Sequence, residues 1–310
     1  MKNKIQIKSI CGKILFEFEK ENNTIKDTLE KAVKQKVNLS GADLCGANLQ
    51  DANLGNAILF ESDLCGANLQ GADLRDADLY GAAIGSANLQ GADLRRACLS
   101  SANLGDANLQ DADLSHADLT YANLSGAHLR RACLSWAALR WVNLSFANIS
   151  YADLTYANLS CADLREANIA YSHFSYANLG LANLKEANLC GANIIEAERV
   201  PYIPLNCPSE GSFVGWKKVK DKLVKLEIPE DAKRSSATTR KCRCDKAKVL
   251  LITDLDGSNP IDEILNTSQE HKVLYKVGEM VYPDSFDENR WNGCSHGIHF
   301  FINKQDAINY

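Results

Sequence analysis

The chain has 310 residues, 45% hydrophobic and 24% charged, a globular balance rather than that of a disordered chain. Lys plus Arg is 34 and Asp plus Glu is 39, and the net charge of −5 argues against general affinity for nucleic acid or an anionic membrane. No apolar run approaches the roughly 20 residues of a membrane span, and no apolar stretch follows the lysines of MKNKIQIKSI; the 11 cysteines are therefore expected as free thiols in the cytoplasm.

Residues 1–36 predict a ββα unit. Ile5 and Ile7 alternate on one arm of a hairpin, Ile14, Phe16 and Phe18 on the other, with Cys11-Gly12 at the turn. In the helix that follows, Thr24 and Asp27 have the spacing of a capping box, and Ile25, Leu29, Ala32 and Val33 share a face. The economical role for this unit is to cover the start of what comes next.

From residue 37 the chain reads VNLSG ADLCG ANLQD and continues in fives. Every residue numbered in 4 or 9 from Leu39 to Ile194 is Leu, Ile or Phe, and every residue two before it is Ala, Ser or Val, giving 32 pentads without an insertion. A period of five fits neither a helix nor a strand, so the chain must turn once per repeat with the small and the large residue both inward. Gln50, Gln70, Gln90 and Gln110 recur every 20 residues. Four pentads should then make one coil, and residues 20 apart should stack as amide ladders do.

The A(D/N)LXX pattern over residues 37–196 resembles the pentapeptide repeat family. The resemblance implies a mainly all-β chain: a right-handed quadrilateral β-helix between a small α+β N-terminal cap and an α+β C-terminal domain. Eight coils at a strand spacing of about 4.8 Å make a rod roughly 38 Å long. Arg199 to Pro204 is a linker-like break. Residues 199–310 predict strands at 212–216, 222–228, 246–253, 272–277 and 297–302 and a short helix from Lys304. Their order of motifs is similar to a domain that follows pentapeptide repeats in phage and phage-related bacterial proteins.

Charge is uneven along the chain: +4 in residues 1–36, −10 in 37–198 and +1 in 199–310, with −9 of the rod's charge in 37–128. Some members of the family are thought to imitate DNA in the groove of type II topoisomerases. DNA would carry about 13 charges over the roughly 22 Å of residues 37–128, so the early rod is a partial mimic. The acidic face is expected at Asp73, Asp93, Asp113, Asp76 and Asp78, although Arg75 and Arg95 lie two residues from the first two. The alternative is that Asp and Asn there are simply what the fold accepts.

Beyond Tyr121 large rings recur at one repeat position: Trp136, Trp141, Phe146, Tyr151, Tyr156, Tyr171 and Tyr176. These positions point outward in the family's fold, so they predict either an interface with a partner or second copy, or a surface covered by the C-terminal domain. In residues 199–310, Arg234, Ser235, Ser236, Arg240, Lys241 and Arg243 form a candidate anion-binding loop. Cys242, Cys244, Cys294 and His299, with Cys207 and His296, are weak candidates for zinc, since CxC is not the usual CxxC spacing. No metal or other cofactor is expected.

No nucleophile–base pair, P-loop or dinucleotide fingerprint is present. The expectation is a non-enzymatic protein-binding module that inhibits or protects a DNA-handling or anti-phage defence protein. No nucleic acid should bind directly through the β-helix, and no membrane is implied. Two alternatives stand beside it: a C-terminal domain that binds a nucleotide or phosphorylated ligand, as a binding module or as an enzyme, with the rod as spacer, and a structural homo-oligomer.

Overall fold

The computed structural model describes residues 2–194, 196–201, 207–236, 240–267, 272–288 and 296–310. Its contacts divide it into two compact units: Met1–Ala187 with Ala192–Pro201, and Asn188–Gly191 with Tyr202–Tyr310.

The first unit opens with an antiparallel hairpin of β1 (Lys2–Lys8) and β2 (Ile14–Glu21), followed by helix α1 (Ile25–Lys34). The capping box is formed: the Thr24 hydroxyl oxygen accepts from the Asp27 N–H and the Asp27 carboxylate accepts from the Thr24 N–H. Hydrogen bonds tie this unit to the first pentads. The Lys8 carbonyl accepts the Asp43 N–H at 2.8 Å, and the Gly41 carbonyl accepts the Ile10 N–H at 2.8 Å.

Backbone accounting explains the five-residue motif. Each pentad consists of a small, a polar, a central, a spacer and a corner residue. The central N–H donates to the polar residue's carbonyl one coil on (Leu74 to Asp93, 2.7 Å), and the corner N–H to the next spacer carbonyl (Asp76 to Arg95, 3.0 Å). The polar N–H donates back to the preceding coil (Asp93 to Ala72, 2.9 Å), and the small residue closes a turn onto the central carbonyl (Ala77 to Leu74, 3.1 Å). Only the spacer N–H is left over, and the polar side chain takes it: Arg75 donates to Asp73 Oδ1 at 3.1 Å, Ser145 to Asn143 Oδ1 at 3.0 Å. The repeat therefore needs a short side-chain acceptor at that position, which Asp and Asn provide.

Parallel bridges join residues 20 apart, from Asn38–Ile58 to Asn178–Glu198, so four pentads do make a coil. The small and central side chains point inward and fill the rod with Ala and Leu; Phe174 is accommodated in this column with no exposure. Residues 20 apart stack, and asparagine columns form amide ladders: Asn68, Asn88 and Asn108 each donate Nδ2 to the Oδ1 one coil earlier at 3.1–3.3 Å, two residues before the glutamines, and Asn123 and Asn143 do the same in another column at 2.9–3.1 Å. Every corner from Gly41 to Gly191 has a positive φ, between 51° and 68°. That is the third position of a type II turn, where Gly and Asn are favoured.

In the second unit a seven-stranded sheet runs in the order β10-β7-β4-β3-β11-β6-β5 among the described residues. Its strands are β3 (Phe213–Val219), β4 (Lys222–Ile228), β5 (Arg234–Ser236), β6 (Lys241–Cys244), β7 (Ala247–Asp254), β10 (Met280–Val281) and β11 (Ile298–Phe301). A separate hairpin pairs β8 (Glu263–Thr267) with β9 (Lys272–Lys276). One core holds Val224, Leu226, Ile252, Tyr275 and Phe300; a smaller one, on the opposite face of the sheet, gathers Leu223, Phe301 and Ala307 of α2 (Lys304–Asn309). Strands β5 and β6 occupy most of the stretch expected to be an anion-binding loop.

Candidate functional site

The polar positions expected to form an acidic face are occupied by scaffold. Asp73, Asp78, Asp93 and Asp113 each give Oδ1 to the spacer N–H of their own pentad. Arg75 and Arg95 then fold back onto Asp73 and Asp93, each through a 2.6 Å ion pair, and reach on toward Asp93 and Asp113 at 3.5 and 3.7 Å. At the corners Arg96 pairs with Asp76, and Arg131 with Asp111 one coil back. These guanidinium groups hold the carboxyls of Asp73, Asp76 and Asp93 below the usual range, and that of Asp111 at about 2. Of the five residues expected on the acidic face, only Asp78 is without an ion pair among the described residues.

The carboxylates left without such pairing in residues 37–128 are Asp43, Asp51, Glu61, Asp63, Asp78, Asp106 and Asp118. Five of them gather about one edge of the rod. Glu61 stands on the corner column that later carries Tyr121 and Trp141; Asp78 and Asp118 lie on the side before it, Asp43 and Asp63 on the side after it. The rod thus segregates charge. The Asp73–Arg95 side is internally neutralised, and free carboxylate lies on the opposite side and the side between.

The aromatic residues are all corner residues. Tyr121, Trp136, Trp141, Phe146, Tyr151, Tyr156, Tyr171 and Tyr176 have φ between 58° and 61°, and their exposure runs from 43% at Tyr156 to 62% at Tyr121. A bulky side chain in this backbone region costs on the order of 1–2 kcal/mol relative to glycine. Early corners avoid that cost with Gly41, Gly46, Gly66, Gly71, Gly81 and Gly91. These glycines were the signal in the sequence that the corner demands positive φ, and hence that the rings sit where the fold disfavours them. Stacking offsets part of the cost. Trp136 lies 4.3 Å from Tyr156, Tyr156 4.9 Å from Tyr176, and Tyr151 5.0 Å from Tyr171, with interplanar angles of 11–16°. Arg130 lies over the Tyr151 ring at 5.5 Å.

In the second unit the candidate anion loop is taken apart by strand alternation. Arg234 is half-buried: its guanidinium donates to the carbonyls of Pro208, Gly211, Pro229, Glu230 and Ala232 at 2.7–3.2 Å and stacks on Phe213. Arg240 pairs with Asp306, and Lys241 donates to the Tyr310 hydroxyl. Ser235 and Arg243 are cross-strand neighbours, and Ser236 pairs with Cys242 on the other face. The six do not converge on one ligand.

Of the zinc candidates, Cys207, Cys242 and Cys244 share one apolar core, and the histidine does not join them. Cys242 is opposite Phe300 and Cys244 opposite Ile298, so both thiols enter the core while His299, opposite Arg243, points to the other face. Burial pushes the Cys244 thiol up to about 12, the reverse of what a metal ligand needs. Cys294 lies outside the described residues, as do residues 202–204 of the linker. Among the described residues no group of three or more His, Cys, Asp or Glu is arranged to hold a metal, and no helix is long and apolar enough to cross a membrane.

Comparison with known proteins adds a family. Pentapeptide repeats, as an eight-copy family profile, match residues 29–60, 38–76, 57–96, 97–135, 107–145, 147–185 and 170–198, together more than half of the chain. Residues 203–307 match a family of unknown function (DUF5758). Among solved structures, HetL, a pentapeptide repeat protein involved in heterocyst differentiation regulation in the cyanobacterium Nostoc sp. strain PCC 7120, is 34% identical over 52% of this chain and 80% of its own, with a TM-score of 0.35. A trypsin-treated variant of QnrB1, a plasmid-mediated fluoroquinolone resistance protein, is 20% identical over 52% of this chain and 79% of its own, with a TM-score of 0.40. A pentapeptide repeat protein of the Arabidopsis thaliana thylakoid lumen is 29% identical over 36% of this chain and 65% of its own, with a TM-score of 0.14. No curated protein matches.

Proposed function

This chain belongs to the pentapeptide repeat family, and on that premise we propose that it is a non-enzymatic protein-binding rod, a partial DNA mimic whose early coils offer carboxylates to a protein that otherwise holds nucleic acid. The observation that carries this reading is the edge formed by Asp43, Glu61, Asp63, Asp78 and Asp118, which have no ion pair among the described residues. A protein gripping DNA from one flank meets about half of the roughly 13 phosphates over this length. The five carboxylates of this edge, with Asp106 at the next corner, approach that number, whereas the paired Asp73–Arg95 side does not. The backbone ladder fixes their spacing in advance, so little order is lost on binding. Partners of this chemistry include type II topoisomerases and nucleases of anti-phage defence, which the rod would inhibit or protect.

The test is binding of the full chain to such an enzyme at 50 and 300 mM salt. Tight binding at low salt should weaken at least tenfold in the variant Asp43→Asn/Asp63→Asn/Asp78→Asn/Asp118→Asn, with Asp73→Asn/Asp93→Asn nearly silent. No binding at either salt, or equal loss from the two sets, would defeat the proposal.

A further inference from the structure

The rod has one side prepared for removal from water, and it is the side first suspected of acidity. In its early coils the charges are already spent on one another in the Asp73–Arg75–Asp93–Arg95–Asp113 ladder. In its later coils the same side lies between two aromatic corner columns, Tyr151–Tyr171 and Trp136–Tyr156–Tyr176. Hydroxyl residues Ser135, Thr155 and Ser175 line the floor between them, and the carboxylate there, Asp153, accepts both the N–H and the hydroxyl of Thr155. Fixed charge is thus low on this side, and the rings are half exposed yet held in place by stacking, so their order costs little on association.

We infer that this side is the contact between two copies of the chain, related by a two-fold axis close to Tyr156. The symmetry of the patch itself points to a second copy. Tyr156 is 20 residues from Trp136 and 20 from Tyr176, so a two-fold axis at Tyr156 sets Trp136 of one copy on the partner copy's Tyr176, and Tyr156 on its own equivalent. Such an isologous contact needs no complementary surface other than itself. The area agrees. Five rings, each exposing about half of a surface of roughly 200 Å², give about 500 Å² per copy. Two copies bury about 1,000 Å² through the rings alone, the lower bound for a specific interface. The carboxylate edge of the proposed function is centred on the Glu61 corner, one corner removed from the Trp136–Tyr156–Tyr176 column, and either inference can stand without the other.

Sedimentation equilibrium of the full chain between 1 and 100 μM tests this. The wild type should fit a monomer–dimer equilibrium within that range. The variant Trp136→Asn/Tyr156→Asn/Tyr176→Asn should raise the dissociation constant at least tenfold, and since Asn suits positive φ it should melt no lower than the wild type. That melting measurement separates a lost contact from a lost fold. Phe146→Asn, on another corner column, should leave the dimer unchanged. A wild type that stays monomeric at 100 μM, or a triple variant that still dimerises, would overturn the inference, as would a rod whose rings are protected only by a different protein.

Discussion

Arg75 grips both oxygens of Asp73, through Nε at 2.8 Å and Nη2 at 2.6 Å, and holds the same Nε 3.5 Å from Asp93 in the next coil. One guanidinium thus closes its own pentad and links two coils. The polar side chain it closes on has a second partner, the backbone N–H of Arg75. The acceptor role and the ionic role can be separated by mutation.

Asp93→Asn keeps the acceptor and loses the charge. Because the pair is partly exposed, the change should cost under about 1 kcal/mol. Asp93→Ala also leaves the spacer N–H without its acceptor and should cost about 1–2 kcal/mol. Urea denaturation of both variants at low and high salt checks the pair: both losses should shrink by a similar amount with salt, and the extra loss of the Ala variant should not.

Corner substitutions should follow φ rather than exposure. Gly91 has φ +65 and open space around a would-be Cβ, so Gly91→Val meets backbone strain alone and should cost about 1–2 kcal/mol. Phe146→Asn should stabilise by about 0.5–1 kcal/mol, since Asn tolerates the conformation that Phe146 adopts at φ +61. Thermal melts of the two variants should move in opposite directions.

Arg234 is a structural clamp. Arg234→Lys removes the planar fork that reaches five carbonyls and should destabilise the second unit by about 2–3 kcal/mol. Hydrogen–deuterium exchange should show faster opening of β5 and β6, and added phosphate should rescue neither protein.

The second unit should lose stability in alkali. Cys244 has a folded pKa of about 12 because of burial, above its ordinary value near 8.5. Its contribution is complete below about pH 8.5 and is lost as pH rises toward 12. Lys217 has the opposite sign. Burial lowers its amine to about 8, so folding is penalised below that pH and relieved as pH rises toward 10.5. Melting temperature should therefore hold nearly level from about pH 8 to 10 and fall beyond. Cys244→Ala should flatten the fall, and Lys217→Met should raise stability at pH 7 and start the fall earlier.

The rod could be read from its sequence because each of its backbone bonds has a residue-type signature: Ala and Leu for the interior, Asp or Asn for the spacer N–H, a unit of 20 for the coil. Which column carries amide ladders is not legible, since a glutamine column and an asparagine column share one period and only side-chain reach separates them. The pairing on the Asp73 side was hidden for a related reason. Arg75 was visible beside Asp73, but its reach to Asp93 depends on stacking across coils. In the second unit Lys241-Cys242-Arg243-Cys244 alternates with period two, as a strand should. Its apolar half is cysteine, a residue that serves equally as metal ligand and as core, and its polar half is basic, so a buried strand resembled a ligand-binding loop. The hairpin, α1 and the strand at 222–228 were legible because ordinary aliphatic alternation and capping mark them.

The four-pentad coil makes length and orientation separate variables. Loss of 20 residues would shorten the rod by one layer, about 4.8 Å, and leave every downstream side chain on its original side. Loss of five would satisfy the same backbone bonds while turning everything downstream by a quarter revolution, carrying Tyr156 and Tyr176 off the side that holds the Asp73–Arg95 ladder. Duplication in units of 20 can therefore lengthen such a gene without scrambling its surface, whereas a single-pentad slip is silent to the fold and rewrites what the molecule displays.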